Sequence, residues 1–316
     1  MKKHHTLCDP WEMKIPHPIP YQGSKRNLAK QILAYFPEGI DTLFEPFSGS
    51  SAITIATAAR GLAENYYLND FNGPLIELWK TIIDHPYILS NQYEQIWNEQ
   101  HANPKSYYKK IRDEFNKTRK PHHFLYLLAR CVKASVRYNA NGEFNQSPDN
   151  RRVGVLPRTM RNHIFGVSNL LKGKTKCMVG DYRVAIQCAG PNDLIYMDPP
   201  YQGVCGERDP RYLEKVLFDE FVESLAWLNA RDISYIVSYD GRTGDKVHGR
   251  RLPRDLQLMH IELKAGLSSQ ETLLGRVAVT YESLYLSPAL VRRLGMRQIT
   301  EVNNKALDLA LVEVGA

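Results

Sequence analysis

Short apolar runs alternate with amphipathic stretches along this chain, and this alternation predicts an α/β fold. Residues 42–44, 66–69 and 194–197 are short apolar runs bounded by polar residues, which is typical of buried parallel strands. Residues 27–36 and 52–59 have the apolar spacing of helices. We therefore expect a doubly wound parallel sheet with helices on both faces.

The second half of the chain continues this pattern. Residues 176–179 and 233–238 predict two more buried strands, and residues 218–229 carry apolar side chains at helical spacing. Residues 276–286 alternate in the manner of a hairpin strand, which we expect to complete the edge of the sheet. From about residue 291 onwards, no pattern indicates a role.

Basic residues are concentrated in one part of the chain. Residues 103–176 contain 17 Lys and Arg against 4 Asp and Glu, a net charge of +13, whereas the whole chain carries +7. Residues 122–135 within this part alternate apolar and basic positions at helical spacing. Such a segment is typical of a surface that faces nucleic acid, although an ordinary solvated surface can have the same composition.

Cysteine usage and hydropathy exclude several other classes of protein. The five cysteines form no C-x-x-C pair and have no histidine at zinc-ligand spacing, so we expect reduced thiols and no metal site. No apolar stretch approaches the roughly 18 residues that a membrane span requires. The basic N-terminus lacks the apolar core of a signal peptide. We expect a soluble, cytoplasmic protein without a membrane partner.

The most informative motif is Asp198-Pro199-Pro200-Tyr201, which directly follows the apolar run 194–197. The two prolines end the strand in a rigid loop at its carboxyl end, where open α/β sheets bind ligands. The Asp198 carboxylate and the Pro199 carbonyl can each accept an N–H from an exocyclic amine, and Tyr201 can stack on a flipped-out base. The motif indicates methylation of a nucleobase amino group; an ordinary Asx-turn is the structural alternative.

Three further segments predict a site for a nucleoside cofactor. Lys25 lies at the start of a predicted helix, where free N–H groups and an ammonium can receive a carboxylate. The small residues of the turn 45–51 follow a predicted strand and can cradle such a cofactor. Asp70 ends the next strand, a position from which a carboxylate commonly holds a ribose diol. Asn72 is placed to cap the following helix.

Together these motifs resemble those of the Dam-type, class alpha DNA adenine-N6 methyltransferases. The resemblance runs from about residue 15 to about residue 290. The matching segments are residues 20–25, 45–50, 70–72, 137–139, 142–145, 180–182 and 198–201. The resemblance implies a Rossmann-like methyltransferase sheet in a catalytic domain of residues 1–90 and 176–316. Residues 91–175 would form a smaller, mainly helical and basic target-recognition domain.

The resemblance also implies S-adenosylmethionine as the methyl donor, S-adenosylhomocysteine as the product, and no metal. The Tyr21 to Lys25 segment would meet the methionine part, the turn around Phe47 would wrap the cofactor, and Asp181 would lie beside its adenine. The implied cofactor residues are Tyr21, Gly23, Ser24, Lys25, Glu45, Pro46, Phe47, Ser48, Gly49, Ser50, Asp70, Phe71, Asp181, Tyr182 and Asp198. The implied catalytic residues, which would hold the target adenine, are Asp198, Pro199, Pro200 and Tyr201.

Double-stranded DNA is the partner that the resemblance implies for the basic insertion. Arginine can read guanine, asparagine can read adenine, and tyrosine can stack or wedge between bases. The candidate DNA-binding residues are Arg137, Tyr138, Asn139, Asn141, Arg151, Arg152 and Arg158. The last three arginines, together with Arg161, are more typical of phosphate contacts that set the register.

Two segments depart from the family pattern. Ser51 stands where many members have a second glycine, and serine tolerates a positive φ poorly, so the cofactor turn can differ in shape. Residues 202–211, directly after the catalytic motif, also differ and include Cys205, Arg208 and Arg211. This loop has the residues to close over a flipped base or to touch phosphate, or it is an ordinary surface loop.

The sequence therefore predicts a monomeric enzyme that methylates N6 of adenine in a specific DNA site, alone or beside a cognate restriction endonuclease. An N4-cytosine DNA methyltransferase would use the same fold, although such enzymes more often have serine in place of Asp198. An RNA base N-methyltransferase could use the same catalytic loop. A non-catalytic DNA-binding regulator that keeps the fold is the alternative from a different class.

Overall fold

A computed structural model describes residues 14–200, 216–244, 246–267 and 279–314. Within these ranges one mixed sheet organises the molecule. Its strands are β1 (Ile40–Glu45), β2 (Ala63–Asp70), β3 (Thr175–Val179), β4 (Leu194–Met197), β5 (Tyr235–Thr243), β6 (Lys246–His248), β7 (Met259–Leu267) and β8 (Val279–Leu286).

The strand order explains where a ligand site forms. The order is β3-β2-β1-β4-β5-β8-β7, and β6 pairs with β5 outside this path. The strands from β3 to β5 are parallel, whereas β8 and β7 run antiparallel. The chain order reverses between β1 and β4, which makes this the switch point where the carboxyl ends of parallel strands leave a crevice.

Helices connect and cover the strands. They are α1 (Ala29–Leu33), α2 (Ala52–Ala58), α3 (Gly73–Asp84), α4 (Pro86–Glu99), α5 (Pro104–Thr118), α6 (Pro121–Arg130), α7 (Pro157–Leu171), α8 (Tyr182–Ile186), α9 (Phe218–Ala230) and α10 (Pro288–Val314), the last interrupted at Gly295. Helices α3 to α7 each have a proline in their first turn, where its missing N–H costs nothing and its fixed φ suits a helix.

Both faces of the sheet are buried, which confirms the predicted α/β class. Along β4, Leu194 and Tyr196 belong to one apolar cluster, whereas Ile195 and Met197 belong to a second cluster. Successive side chains of a strand point to opposite faces, so the two clusters lie on opposite sides of the sheet. This arrangement explains why the predicted strands are continuously apolar.

The helical insertion extends the larger cluster. Trp79 of α3 is fully buried in the same cluster as Phe124 of α6 and Met160 of α7. The first helix of this layer, α4, begins at Pro86, so the boundary expected at residue 91 falls inside a helix. Apolar packing on α3 therefore holds the basic segment against the sheet.

One predicted helix is shorter than expected, and the predicted position of one strand was wrong. The helix expected over residues 27–36 is a 3-10 turn (Lys25–Asn27) followed by α1, which ends at Leu33. Pro37 disfavours helical backbone in the residue before it, which shortens the helix. β8 is not the edge strand, because β7 lies outside it.

Strand β7 was not predicted, although the sequence contains a pattern that indicates it. Ile261 and Leu263 alternate with the polar residues on either side, and in the structure Leu263 is buried against the larger cluster. The first three residues of the predicted segment 276–286 lie outside the described residues. Among the helices that the structure describes, none has the length and apolar character needed to cross a membrane.

Candidate active site

An open cleft with an empty volume of about 1300 Å³ lies at the carboxyl ends of the parallel strands. Most of its lining comes from residues 21–25, 45–50, 70–72, 180–183 and 198–200. All the residues that the sequence suggested for the cofactor line this one cleft. The parallel strands produce this convergence, because each of β1, β2, β3 and β4 ends at the same edge of the sheet.

Asp70 is held with its carboxylate fixed at the cleft. The backbone N–H of Gly49 donates to Oδ2 at 3.0 Å, and the N–H of Asn72 donates to Oδ1 at 2.9 Å. Burial raises the pKa of Asp70, and these two hydrogen bonds oppose that rise. Each carboxylate oxygen keeps a further lone pair, so Asp70 retains the capacity to accept two hydroxyl protons.

The turn after β1 depends on backbone conformations that favour small residues. Gly49 has a φ of +45°, and a β-carbon there would lie 3.4 Å from the Tyr21 ring. Its carbonyl accepts a hydrogen bond from the indole of Trp79 at 3.0 Å. Ser51 also adopts the left-handed region, at φ 46° and ψ 36°, and is fully buried. The turn therefore keeps a left-handed backbone at the position where serine replaces glycine.

Glu45 lines the cleft but is bonded to the helix beside it. Its Oε2 accepts the Thr54 hydroxyl at 2.6 Å and the Thr54 N–H at 3.2 Å. Burial raises the pKa of Glu45 to about 8, and the nearby carboxylates of Asp198 and Asp70 add to the rise. The side chain is therefore mostly neutral at pH 7 and positions the start of α2.

The segment before α1 is attached to the opposite side of the cleft. The Ser50 and Ser24 hydroxyls are hydrogen bonded at 2.7 Å. The N–H of Gln22 donates to the carbonyl of Ala134 at 3.0 Å, which links this wall to the insertion. These contacts fix the backbone that carries Lys25.

Lys25 lies between two carboxylates. Its Nζ is 3.1 Å from Oδ1 of Asp198 and 3.0 Å from Oε2 of Glu282, and only 6% of the lysine is exposed. The sequence suggested Lys25 for a ligand carboxylate, whereas the structure brings it to the motif after β4. Glu282 was missed, because it is a single acidic residue in an alternating strand far along the chain and nothing local distinguishes it.

The motif after β4 opens into the cleft as its prolines require. All four residues of β4 are buried, and the strand ends immediately before Asp198, whose side chain is 22% exposed. Pro199 and Pro200 also line the cleft. Tyr201 and the loop of residues 202–211 lie outside the described residues.

Aromatic rings form another wall. The rings of Phe47 and Tyr182 lie 5.0 Å apart, and both pack near Phe221 of α9. Asp181 caps α8 and accepts hydrogen bonds from Arg183, which lowers the pKa of its carboxyl. Phe71 also lines the cleft and is 49% exposed. A flat heterocycle would find aromatic faces here.

The candidate DNA residues divide into two groups. Arg137, Asn141, Arg151, Arg152 and Arg158 are exposed on the insertion, as contacts to DNA require. The other group consists of side chains that are used within the protein.

Tyr138 and Asn139 belong to this second group. Tyr138 is buried, and its hydroxyl donates to Oδ1 of Asn72 at 3.1 Å, so its ring does not present a stacking surface. The Asn139 side chain is bonded to the N–H groups of Asn141 and Glu143 and to the Glu143 carboxylate, which differs from the base-reading role expected of it.

Two other side chains depart from their expected roles. Arg161 pairs with Glu94 of α4 at 2.9 Å and therefore joins two helices of the insertion. Asn72 occupies the position before α3, but its side chain does not cap that helix and accepts from Tyr138 instead.

The sequence matches a known family model and several known proteins. The family model described as D12 class N6 adenine-specific DNA methyltransferase matches residues 21–265. A DNA N-6-adenine-methyltransferase of Escherichia phage P1 is 31% identical over 190 residues, which are 58% of this chain and 23% of that protein.

Two shorter relatives give a similar picture. The type II methyltransferase M1.LlaDCHI of Lactococcus lactis subsp. cremoris is 29% identical over 191 residues, 57% of this chain and 64% of that protein. The DNA adenine methylase of Haemophilus influenzae is 27% identical over 192 residues, 58% of this chain and 63% of that protein. The chain thus spans less than two thirds of the length of each of these relatives.

Proposed function

The chain belongs to the D12 class N6 adenine-specific DNA methyltransferase family, and from this we propose that it methylates N6 of adenine at a specific site in duplex DNA. The observation that carries the proposal is the placement of Asp198, Pro199 and Pro200 in one cleft with Asp70. A carboxylate and a carbonyl that accept amine protons thus share a cleft with a carboxylate that suits a ribose.

The cleft fits S-adenosylmethionine, on which this family generally depends. Asp70 would accept the ribose hydroxyls, and the Phe47 and Tyr182 rings would face the adenine. The buried Ser48 hydroxyl lines the cleft without a hydrogen-bond partner among the described residues, and a polar group of the ligand would satisfy it. When bound, the cofactor supplies an electrophilic methyl group on a sulfonium centre.

The residues of the chain then act by positioning. The Asp198 carboxylate and the Pro199 carbonyl would each accept one N–H of the adenine amine and so orient its nitrogen lone pair. Lys25 fixes Asp198 from one side, at 3.1 Å. Positioning and electrostatics account for the catalysis, with direct methyl transfer and no covalent enzyme intermediate.

The exposed arginines of the insertion support duplex DNA as the partner. They lie in a segment with a net charge of +13, and α3 carries this segment next to the cleft. The family description favours adenine over cytosine and DNA over RNA. We further propose that the protein acts as a monomer. It would act alone or beside a cognate restriction endonuclease, since several relatives are type II methyltransferases.

Methylation of unmethylated genomic DNA with labelled S-adenosylmethionine tests the reaction. Digested product is analysed for modified nucleosides, and modified positions are mapped on single molecules. We expect N6-methyladenine at one short sequence. N4-methylcytosine, or transfer to RNA alone, would contradict the proposal and select one of the alternatives.

Replacing Asp198 tests the mechanism. Asp198→Ala should lower transfer by at least about 10³-fold, because an acceptor that orients the amine is lost. Cofactor affinity, measured by calorimetry without DNA, should change only a few-fold. Asp41→Ala is the matched control, since Asp41 lies exposed at the start of β1, on the opposite edge of the sheet. Undiminished turnover by Asp198→Ala would refute the mechanism.

A further inference from the structure

The ion-pair cluster of Lys25, Asp198 and Glu282 joins three distant parts of the chain at the cleft. Lys25 is the last residue of the first cofactor segment, Asp198 follows β4, and Glu282 lies on β8. The lysine ammonium lies within 3.1 Å of a carboxylate oxygen on each partner, and the carboxylate side chains remain 22% and 24% exposed. The lysine is thus buried between two acids that both face solvent.

The sheet is shaped to bring Glu282 to this position. The pairing of β5 with β8 shifts register between Ser238 and Gly241, and Gly241 is then paired with Glu282. A β-carbon at Gly241 would collide with the carbonyl of Tyr281, so only glycine allows the two backbones to approach this closely. The Ser238 hydroxyl also donates to Oε2 of Glu282, at 3.5 Å.

The charges of these three side chains explain why Lys25 needs two acidic partners. Lys25 and Asp198 alone would be a neutral pair, and the ammonium would draw electron density from the oxygens that must accept the adenine amine. With Glu282 the cluster carries a net charge of −1. Glu45 next to it adds little at pH 7, because burial raises its pKa to about 8.

We propose that Glu282 is a positioning residue that neutralises Lys25, so that Asp198 remains the net negative charge at the reacting centre. This inference rests on the proposed function, since a methyl donor must place its cationic sulfur within a few ångströms of the amine held by Asp198. A site with this charge favours the cationic donor over the neutral product S-adenosylhomocysteine. Glu282 therefore determines how strongly the site prefers S-adenosylmethionine over S-adenosylhomocysteine. It also determines how strongly the Asp198 carboxylate accepts hydrogen bonds from the adenine amine.

The test measures dissociation constants for S-adenosylmethionine and S-adenosylhomocysteine by calorimetry in the full chain without DNA. Glu282→Gln should lower the ratio of donor affinity to product affinity by about tenfold, through the donor constant. It should lower kcat more than it raises the KM for DNA. Glu282→Asp, which keeps the charge, should retain most of the ratio.

A double variant separates charge from packing. Lys25→Met together with Glu282→Gln leaves Asp198 as the single charge of the cluster, so the ratio should return towards that of the parent protein. Glu262→Gln is the matched control, because Glu262 lies on the neighbouring strand β7 and pairs with Arg242 at 2.7 Å rather than with Lys25. It should leave the ratio unchanged.

The outcomes separate this inference from the proposed function. Equal changes in both affinities for Glu282→Gln, or no recovery in the double variant, would overturn the role of Glu282 while leaving DNA methylation intact. A parent protein that binds neither compound would overturn the proposed function itself. Circular dichroism of each variant confirms that the fold is retained before binding is compared.

Discussion

Two buried residues of the turn 45–51 have a backbone conformation or a protonation state that the surrounding sequence does not predict. Ser51 has a positive φ and a buried hydroxyl without a partner among the described residues. Glu45 is a buried acid held by Thr54. Both features cost stability, and each cost is measurable because one conservative substitution removes it.

Ser51→Gly should raise the free energy of unfolding by about 0.5–1 kcal/mol. Glycine relieves roughly 1–2 kcal/mol of left-handed strain and removes the buried hydroxyl, while its greater unfolded-state entropy costs about 0.5–1 kcal/mol. Urea denaturation at unchanged m-value measures the effect. Ser106→Gly, at an exposed helical position in α5, should instead destabilise by about 0.5 kcal/mol. A destabilised Ser51→Gly protein would show that the strain is absent.

Glu45→Gln should flatten the dependence of stability on pH. Burial raises the pKa of Glu45 from the usual 4.5 of a glutamate to about 8, so between these values the folded protein keeps a proton that the unfolded chain has released. Stability therefore falls as pH rises through this window, by up to about 1.4 kcal/mol per pH unit for this group. Glutamine cannot ionise and still accepts a hydrogen bond from Thr54. The free energy of unfolding of the variant should therefore rise relative to that of the parent protein as the pH increases from 5.5 to 9. Parallel denaturation curves would contradict the assigned pKa.

At the scale of elements, two hydrogen bonds among the described residues connect the helical insertion with the cleft. Tyr138 and Phe144 form an antiparallel bridge, so residues 138–144 make a short hairpin after α6, and the Tyr138 hydroxyl donates to Asn72, which follows β2. Gln22 bonds to the carbonyl of Ala134 on the other wall. The sequence placed Tyr138 at the DNA, whereas its hydroxyl holds the hairpin against the segment that positions Asp70.

Tyr138→Phe should destabilise the protein by about 1–3 kcal/mol, because the buried Asn72 oxygen loses its donor. It should also weaken S-adenosylmethionine binding several-fold, since the N–H of Asn72 fixes Asp70. Calorimetry and urea denaturation measure the two effects. Tyr108→Phe removes a similar buried hydroxyl, bonded to the carbonyl of Gln146 within the insertion, and should affect stability alone. Equal cofactor binding in both variants would exclude the connection.

The elements predicted correctly are those whose signal is local. The apolar runs of β1 and β4 and the helix α9 were recognised because burial on both faces, or on one stripe, leaves a pattern in consecutive residues. The strand pairing was not recognised. The position of β8 inside the sheet depends on β7 pairing beyond it, and that contact leaves no trace within β8.

At the scale of the whole molecule, charge separates the insertion from the rest. The basic segment carries +13, and Arg151 and Arg152 have side chains that are 87% and 75% exposed. Each arginine side chain contacts the buried Asp149 carboxylate through its Nε, at 3.4 and 3.5 Å, while most of the side chain faces solvent. They are therefore available for phosphate.

Affinity for duplex DNA should fall steeply with salt. Replacing Arg151 and Arg152 together by alanine should reduce the slope of log affinity against log salt by up to about 1.8, at about 0.9 per phosphate contact. Fluorescence anisotropy between 50 and 200 mM salt measures the slope. The matched control replaces Arg292 and Arg297 of α10, which pair with Asp232 and Glu301 outside the basic segment. An equal loss of slope in the control would indicate non-specific charge effects.

The sequence by itself determined the fold class, the loop after β4 and the set of segments that line the cleft. These features follow from consecutive residues, and parallel strands bring their carboxyl ends to one edge whatever their side chains are. Only the tertiary structure decided which charges meet. Lys25, Asp198 and Glu282 come together through sheet order and a register shift, and Tyr138 turns inward because packing places Asn72 beside it. Contacts between distant residues depend on the whole sheet, and no local pattern encodes them.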